Sequence, residues 1–179
     1  MRKSAAASGS AIFFVAAPGV VAGLVPWSLS RWVMREPLFD GPLSRALGAA
    51  LIVAGAGVLG NAFVRFVVEG RGTPAPIAPT QQLVVGGLYR YVRNPMYVAV
   101  IATIAGQALL LGQRPLVTYA LVVWALFATF VRIYEEPTLR RRYGAQYDAY
   151  CRKVPAWIPR LRRGSDDSPG ALPPRPGSR

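Results

Sequence analysis

The sequence contains no histidine and a single cysteine, Cys151. Without histidine the chain lacks the commonest general base near neutral pH and the commonest metal ligand. One cysteine permits no intrachain disulfide, and with no Cys/His cluster a metal site is not expected. Carboxylates are scarce too: eight Asp and Glu stand against twenty-one Lys and Arg, a net charge of +13. Lysine occurs only at Lys3 and Lys153. Arginine in its place, with abundant Ala, Gly, Pro and Val, suggests a GC-rich bacterial genome. The most informative lack is of any charge over long stretches: residues 4–30, 46–64, 94–113 and 115–131 carry none.

Those blocks are apolar, within a chain that is 53% hydrophobic. Each approaches the roughly 20 residues that a helix needs to cross a bilayer core. A soluble domain of this size has no means of covering four of them. We therefore expect an all-α membrane protein with spans at about 11–29, 46–68, 95–112 and 115–134. A cytoplasmic amphipathic helix over 137–153 follows, closing one membrane domain of residues 1–163. The Pro-, Gly-, Ser- and Asp-rich tail 164–179 is expected to be disordered. Arg2 and Lys3 resemble the start of a signal peptide, but the apolar stretch behind them is too long for one, so it is read as a retained helix.

The positive charge follows this topology. With both termini in the cytoplasm, seventeen Lys and Arg fall inside and four outside, as the positive-inside rule requires. The chain is accordingly expected in a bacterial inner membrane with cytoplasmic termini. Membrane orientation accounts for the charge without a nucleic-acid partner.

Local signals refine the picture. Pro18 and Pro26 are expected to kink the first span. The second span is rich in small residues, including Gly48, Gly55, Gly57 and Gly60, which let helices approach closely. Residues 70–80 hold three prolines and two glycines and are read as a connector. Gly86 and Gly87 mark a turn. Gly112 and Pro115 bracket a tight hairpin between the third and fourth spans. Pro137 suits the first turn of a new helix, on which Leu139, Tyr143, Tyr147 and Tyr150 recur at helical spacing and share one face. Cys151 reads as a small buried residue of that helix.

Two constellations place polar groups at membrane ends. Tyr89, Arg90, Tyr91, Arg93, Asn94, Pro95, Met96 and Tyr97 lead into the third span; taken alone they read as an interfacial anchor. Arg132, Glu135 and Glu136 close the fourth. Arg132 and Glu136 lie four apart and are expected to pair on one helix face. A carboxylate at such a place can hold a ligand amine, and an arginine a ligand carboxylate.

Together, GLYRYVRNPMY, a two-span hairpin and EEPTLRRRYGAQYDAYCRKVPAWIPR resemble the isoprenylcysteine carboxyl methyltransferase family, within a wider group that includes phospholipid N-methyltransferases. The matching residues are Gly87, Tyr89, Arg93, Pro95 and Tyr97, then Glu135, Glu136 and Leu139, then Tyr143, Gly144, Tyr147 and Tyr150, then Val154, Pro155 and Pro159. The likeness covers roughly residues 80–160. Asn94 stands where the family usually has histidine; it keeps hydrogen bonding and loses acid–base chemistry.

The resemblance implies a methyltransferase that uses S-adenosylmethionine on a lipophilic acceptor. Gln82, Leu83, Tyr89, Arg93, Asn94, Pro95, Met96 and Tyr97 are then expected at the cofactor. Either Glu135 or Glu136 takes its amino group, and Arg132 faces the acceptor. Methyl transfer from a sulfonium is an in-line displacement, so the protein mainly aligns the reactants and excludes water. A carboxylate acceptor is already ionised at neutral pH, whereas an ammonium must first lose a proton. The absence of histidine and the presence of Arg132 lean slightly toward a carboxylate. A phospholipid amine and a non-catalytic membrane scaffold are the alternatives.

Overall fold

The computed structural model of the protein describes residues 17–39, 42–69, 83 and 85–159, with the side chains of 62–69 excepted. The expected connector 70–80, Gln82, the start of the first span and the tail 164–179 lie outside the described residues. Among those described, all regular structure is helical. Helix α1 covers Ala17–Ser30, α2 Pro42–Glu69, α3 Pro95–Leu111, α4 Arg114–Tyr143 and α5 Ala145–Lys153. A 3₁₀ turn, Gly87–Arg90, begins at the expected glycine pair, where Gly87 takes a positive φ of 61°.

The hairpin between α3 and α4 forms as expected. Gly112 ends α3 in the left-handed conformation, and Pro115 sits in the first turn of α4. Two boundaries differ from the sequence reading. Helix α2 begins at Pro42 rather than at residue 46, because proline is tolerated in a first helical turn where its missing N–H would be unpaired anyway. Helix α4 does not stop before Pro137. It runs on to Tyr143 and breaks at Gly144, whose φ of +50° favours glycine. Tyr143 therefore ends α4 while Tyr147 and Tyr150 lie on α5, and the expected single face through all three does not exist.

Pro26 and Pro137 each sit just behind a π turn. In α1 the turn Val20–Leu24 sends the Val25 N–H to the Val20 carbonyl, one residue further back than an α-helix would. The Val21 carbonyl is thereby released, and Pro26, lacking an N–H, releases that of Ala22. Neighbouring helices take both up. Tyr119 Oη donates to the Val21 carbonyl at 2.9 Å, and Gln107 Nε2 to the Ala22 carbonyl at 2.7 Å. Proline inside an apolar helix is accommodated in this way when adjacent side chains satisfy the freed groups. In α4 the same device, Val131–Glu135, precedes Pro137.

Helices α2 and α3 pack through glycine. A Cβ on Gly48 would lie 2.7 Å from the Gly106 carbonyl, and one on Gly106 2.7 Å from the Gly48 carbonyl. Gly55 likewise meets Ala99 and Thr103, whereas Gly57 and Gly60 have nothing within 4 Å. Only part of the small-residue stripe is thus an interface. Against α3 lie α1 and α4, with Ala22, Val100, Ile104, Ala120 and Val123 in one core cluster. At one end, Arg35 N–H donates to the Leu111 carbonyl at 2.8 Å, and Gln113 Nε2 to that of Val33 at 2.7 Å. These bonds gather the end of α1 with the α3–α4 turn.

Among the described residues two helices, α2 over Pro42–Asn61 and α4, are long and apolar enough to cross a membrane. Their apolar windows are only 17% and 22% buried. Val53, Leu121 and Leu126 are each more than 60% exposed. Such outward apolar faces suit lipid, since water-soluble monomers rarely expose large apolar patches.

Candidate functional site

The two constellations meet at the end of the bundle opposite the α3–α4 turn. Arg93, just before α3, is the centre of one half. Its Nη1 donates to Glu136 Oε1 at 2.9 Å, to Cys151 Sγ at 2.9 Å and to Tyr147 Oη at 3.4 Å. The Arg93 and Glu136 side chains are 15% and 14% exposed, so this is a largely desolvated ion pair. The Arg93 Nε–H is buried and has no partner among the described residues. Burial works against the Arg93 charge, but Cys151, Tyr147 and Glu136 more than offset it and hold the guanidinium firmly ionised. Glu136 also meets Arg140 at 3.6 Å, and Arg140 meets Asp148 on α5 at 3.3 Å. Glu136 thus ties the start of α3 to α4 and, through Arg140, to α5.

Glu135 points elsewhere. Its Oε2 accepts from Tyr97 Oη at 3.2 Å, and it is engaged in no ion pair among the described residues. Tyr89 belongs to the same half: its Oη donates to Met96 Sδ at 3.9 Å. Burial, and secondarily the Glu135 carboxylate, push the Tyr89 phenol upward. Tyr150 Oη donates to the Tyr89 carbonyl at 2.7 Å, and burial pushes the Tyr150 phenol up to about 12. These phenols stay protonated at neutral pH and serve as donors rather than bases. Around Tyr97 the rings of Phe127 at 4.7 Å and Trp157 at 6.5 Å form an aromatic wall.

A strap behind α5 completes the site. The Arg93 N–H donates to the Pro155 carbonyl at 2.9 Å and Asn94 Nδ2 to the Ala156 carbonyl at 3.1 Å. Asn94 is 8% exposed and Val154 is 7% exposed, so the strap is anchored in the interior. Pro95 is buried in the first turn of α3.

Of the residues expected at the site, Tyr89, Arg93, Asn94, Met96, Tyr97, Glu135 and Glu136 are brought together. Leu83 is half-buried, and Gln82 lies outside the described residues. Arg132 does not pair with Glu136 as expected; it is exposed, and Glu136 is taken by Arg93 and Arg140. The π turn explains this. With more residues per turn, positions four apart no longer stack. Cys151 is not simply a packed apolar residue, since it accepts from Arg93. Trp157 and Phe127 were missed, because nothing in their local sequence announces a neighbour far along the chain. A polar recess of about 410 Å³ at the opposite end, between Arg35–Leu38 and the α3–α4 turn, holds none of these residues.

A family profile described as phospholipid methyltransferase matches residues 43–146, more than half of the chain. Protein-S-isoprenylcysteine O-methyltransferase B of Arabidopsis thaliana is 34% identical over 79 residues, which are 44% of this chain and 40% of the relative. Protein-S-isoprenylcysteine O-methyltransferase of Schizosaccharomyces pombe is 37% identical over 78 residues, 43% of this chain and 33% of the relative. The A form from Arabidopsis thaliana is 36% identical over 78 residues, 43% of this chain and 39% of that protein. Each match therefore spans two fifths or less of the relative's own length. No solved structure matches the chain significantly.

Proposed function

The chain belongs to the phospholipid methyltransferase family, and on that premise we propose that it is a membrane-embedded methyltransferase that uses S-adenosylmethionine on a lipophilic acceptor. Four spans carry it, with both termini in the cytoplasm and residues 1–163 forming the membrane domain. The observation that carries the reading is the division of labour between two adjacent carboxylates. Glu136 is consumed by Arg93 and Arg140, while Glu135 has one phenolic donor and an aromatic surround.

The donor set fits an amino-acid end joined to a cation. Glu135 holds the ammonium, since a carboxylate with spare acceptor capacity favours a charged donor. The firmly ionised Arg93 guanidinium adds positive charge at the same end of the bundle, which favours the carboxylate without a direct contact. The aromatic wall at Tyr97 suits positive charge, which is attracted to ring faces. When bound, S-adenosylmethionine supplies an electrophilic methyl group with its leaving group attached. Tyr89, Met96 and Tyr97 shape the cleft beside Glu135 and keep water from it, Asn94 and Pro95 frame it, and by the family resemblance Gln82 and Leu83 contact the cofactor. Arg132, exposed at the end of the span, orients an anionic acceptor.

Burial raises the pKa of the Glu135 carboxyl, which gives an amine acceptor a base; the absence of histidine leans slightly toward an acceptor that is already ionised, a carboxylate. The relatives' names point the same way, to an O-methyl product. The name of the matching family keeps a phospholipid amine as the second reading. The test is calorimetric binding of S-adenosylmethionine to the full chain in detergent, followed by transfer of labelled methyl to S-farnesylcysteine or to phosphatidylethanolamine vesicles. Binding with base-labile label on S-farnesylcysteine supports the carboxylate reading; label on the phospholipid replaces it with the amine. No binding by well-folded protein refutes both and leaves the scaffold alternative.

A further inference from the structure

Asn94 is buried and already committed. Its Nδ2 donates to the Ala156 carbonyl at 3.1 Å, beside the bond from the Arg93 N–H to the Pro155 carbonyl at 2.9 Å. Two consecutive residues thus hold two consecutive carbonyls, and the next residue of the strap is Trp157. Its ring lies 6.5 Å from that of Tyr97 and 6.3 Å, edge-on, from that of Trp124. Tyr97 carries the hydrogen bond to Glu135, while Trp124 is 45% exposed on the apolar face of α4. Aromatic surface therefore runs without a break from the polar site to the outward face of a membrane-crossing helix. A ligand with a polar reacting end and a long apolar tail is the kind of molecule that occupies both ends of such a strip. Large aromatic side chains offer it much contact area at little conformational cost.

We propose that Asn94 is a positioning residue that latches the strap, and that Trp157, held by it, is the specificity-determining wall for the apolar tail of the acceptor. The inference rests on the methyltransferase reading above and assigns a role within it. The latch is a hydrogen bond, not an acid or base. Asn Nδ2 and imidazole Nδ1 stand at equivalent places along their side chains, so a neutral histidine with its proton on Nδ1 makes the same bond. Asparagine makes it at every pH.

The test uses the full chain in detergent with N94A, N94H, W157A and W157F. The substrates are S-farnesylcysteine and its short-tailed analogue S-prenylcysteine. At saturating S-adenosylmethionine, N94A and W157A are expected to raise KM for the farnesyl probe about tenfold more than KM for the short-tailed probe, the scale on which apolar pockets discriminate. The short-tailed probe barely changes, W157F lies between, and N94H restores the farnesyl KM. Hydrogen exchange at the Arg93 amide accelerates in N94A and not in N94H, which reports the latch without turnover. An unaltered farnesyl-to-prenyl ratio in W157A overturns the wall. Unchanged exchange in N94A, or a loss of cofactor affinity with the ratio intact, overturns the latch. Should phosphatidylethanolamine be the acceptor, long- and short-chain forms give the same ratio test. Failure of the wild type to bind S-adenosylmethionine overturns the wall along with the methyltransferase reading, while the exchange result still decides the latch.

Discussion

Two adjacent carboxylates invite a direct test, because neutralising each should damage a different property. Glu136 lies in a pair with Arg93 at 2.9 Å, with the side chains 14% and 15% exposed. Removing one partner of a buried pair costs roughly 3–5 kcal/mol, mostly from the charge left behind. Glutamine at 136 keeps an acceptor for Arg93, so the low end applies, about 3 kcal/mol. At the roughly 2–4 °C per kcal/mol typical of a chain this size, Glu136→Gln lowers Tm by about 6–12 °C. Glu135 accepts one hydrogen bond, from Tyr97, and glutamine keeps it, so Glu135→Gln costs under about 1 kcal/mol. Its loss appears in binding. A charge-assisted hydrogen bond is worth roughly 1.5–3 kcal/mol, or about 10- to 150-fold in affinity for S-adenosylmethionine. Thermal unfolding in detergent followed by circular dichroism and titration calorimetry read the two properties on the same preparations. Equal losses of stability and of affinity in both variants, or the roles reversed, would refute the assignment of Glu136 to the frame and Glu135 to the ligand.

Glycine contacts predict opposite outcomes on α3 and α2. Gly106→Val places a Cβ 2.7 Å from the Gly48 carbonyl and should cost about 1–3 kcal/mol in thermal unfolding, while Gly60→Ala, with open space around it, should be neutral or gain up to about 1 kcal/mol. Gln107→Leu strands the Ala22 carbonyl and the Trp32 Nε1–H, which donates to Gln107 Oε1 at 3.2 Å; a loss of about 1–3 kcal/mol is expected, with a change in tryptophan fluorescence. The Tyr150 phenol has its folded pKa raised to about 12 from an ordinary 10.0, so its contribution is complete below pH 10 and is lost as pH rises through 12. Wild type should exceed Tyr150→Phe in Tm by a constant margin up to pH 10, and the margin should close between pH 10 and 12.

What was legible in the sequence was whatever is local. The charge-free blocks marked the helices, and Gly112 with Pro115 marked the hairpin, because backbone conformation at glycine and proline needs no distant partner. Gly87 marked its turn for the same reason. The glycine stripe showed that close packing was intended somewhere, but choosing Gly48 and Gly55 over Gly57 and Gly60 requires knowing how α2 is rotated against α3. Gln107 in the middle of an apolar run was a signal left unread. A lone amide there needs a partner, and Pro26 of α1 supplies one by freeing the Ala22 carbonyl. Trp157, Cys151 and Tyr147 were placed only by tertiary structure, since the partners that hold them in the site lie thirty-three or more residues away along the chain.

The fate of the acidic pair follows from one backbone irregularity. In an α-helix consecutive side chains diverge by about 100°, so neighbouring glutamates never serve one partner. Whether Glu136 then faces Arg132 or Arg93 depends on the phase of the helix, which the sequence reading took to be α. The π turn Val131–Glu135 inserts extra backbone immediately before Glu136 and changes that phase. Pro137 makes the irregularity tolerable, because it has no N–H to bond back into the turn. The outcome is a Glu136 turned into the Arg93 clasp and a Glu135 turned to Tyr97 and the aromatic wall. π turns recur at functional sites for this reason: one added residue re-aims a side chain without ending the helix. Restoring α geometry, by deleting Ile133 or Tyr134, should return Glu136 toward Arg132, release Arg93, and abolish ligand binding while the apolar part of α4 remains helical. Retained binding in a helical deletion variant would show that the turn is incidental to the site.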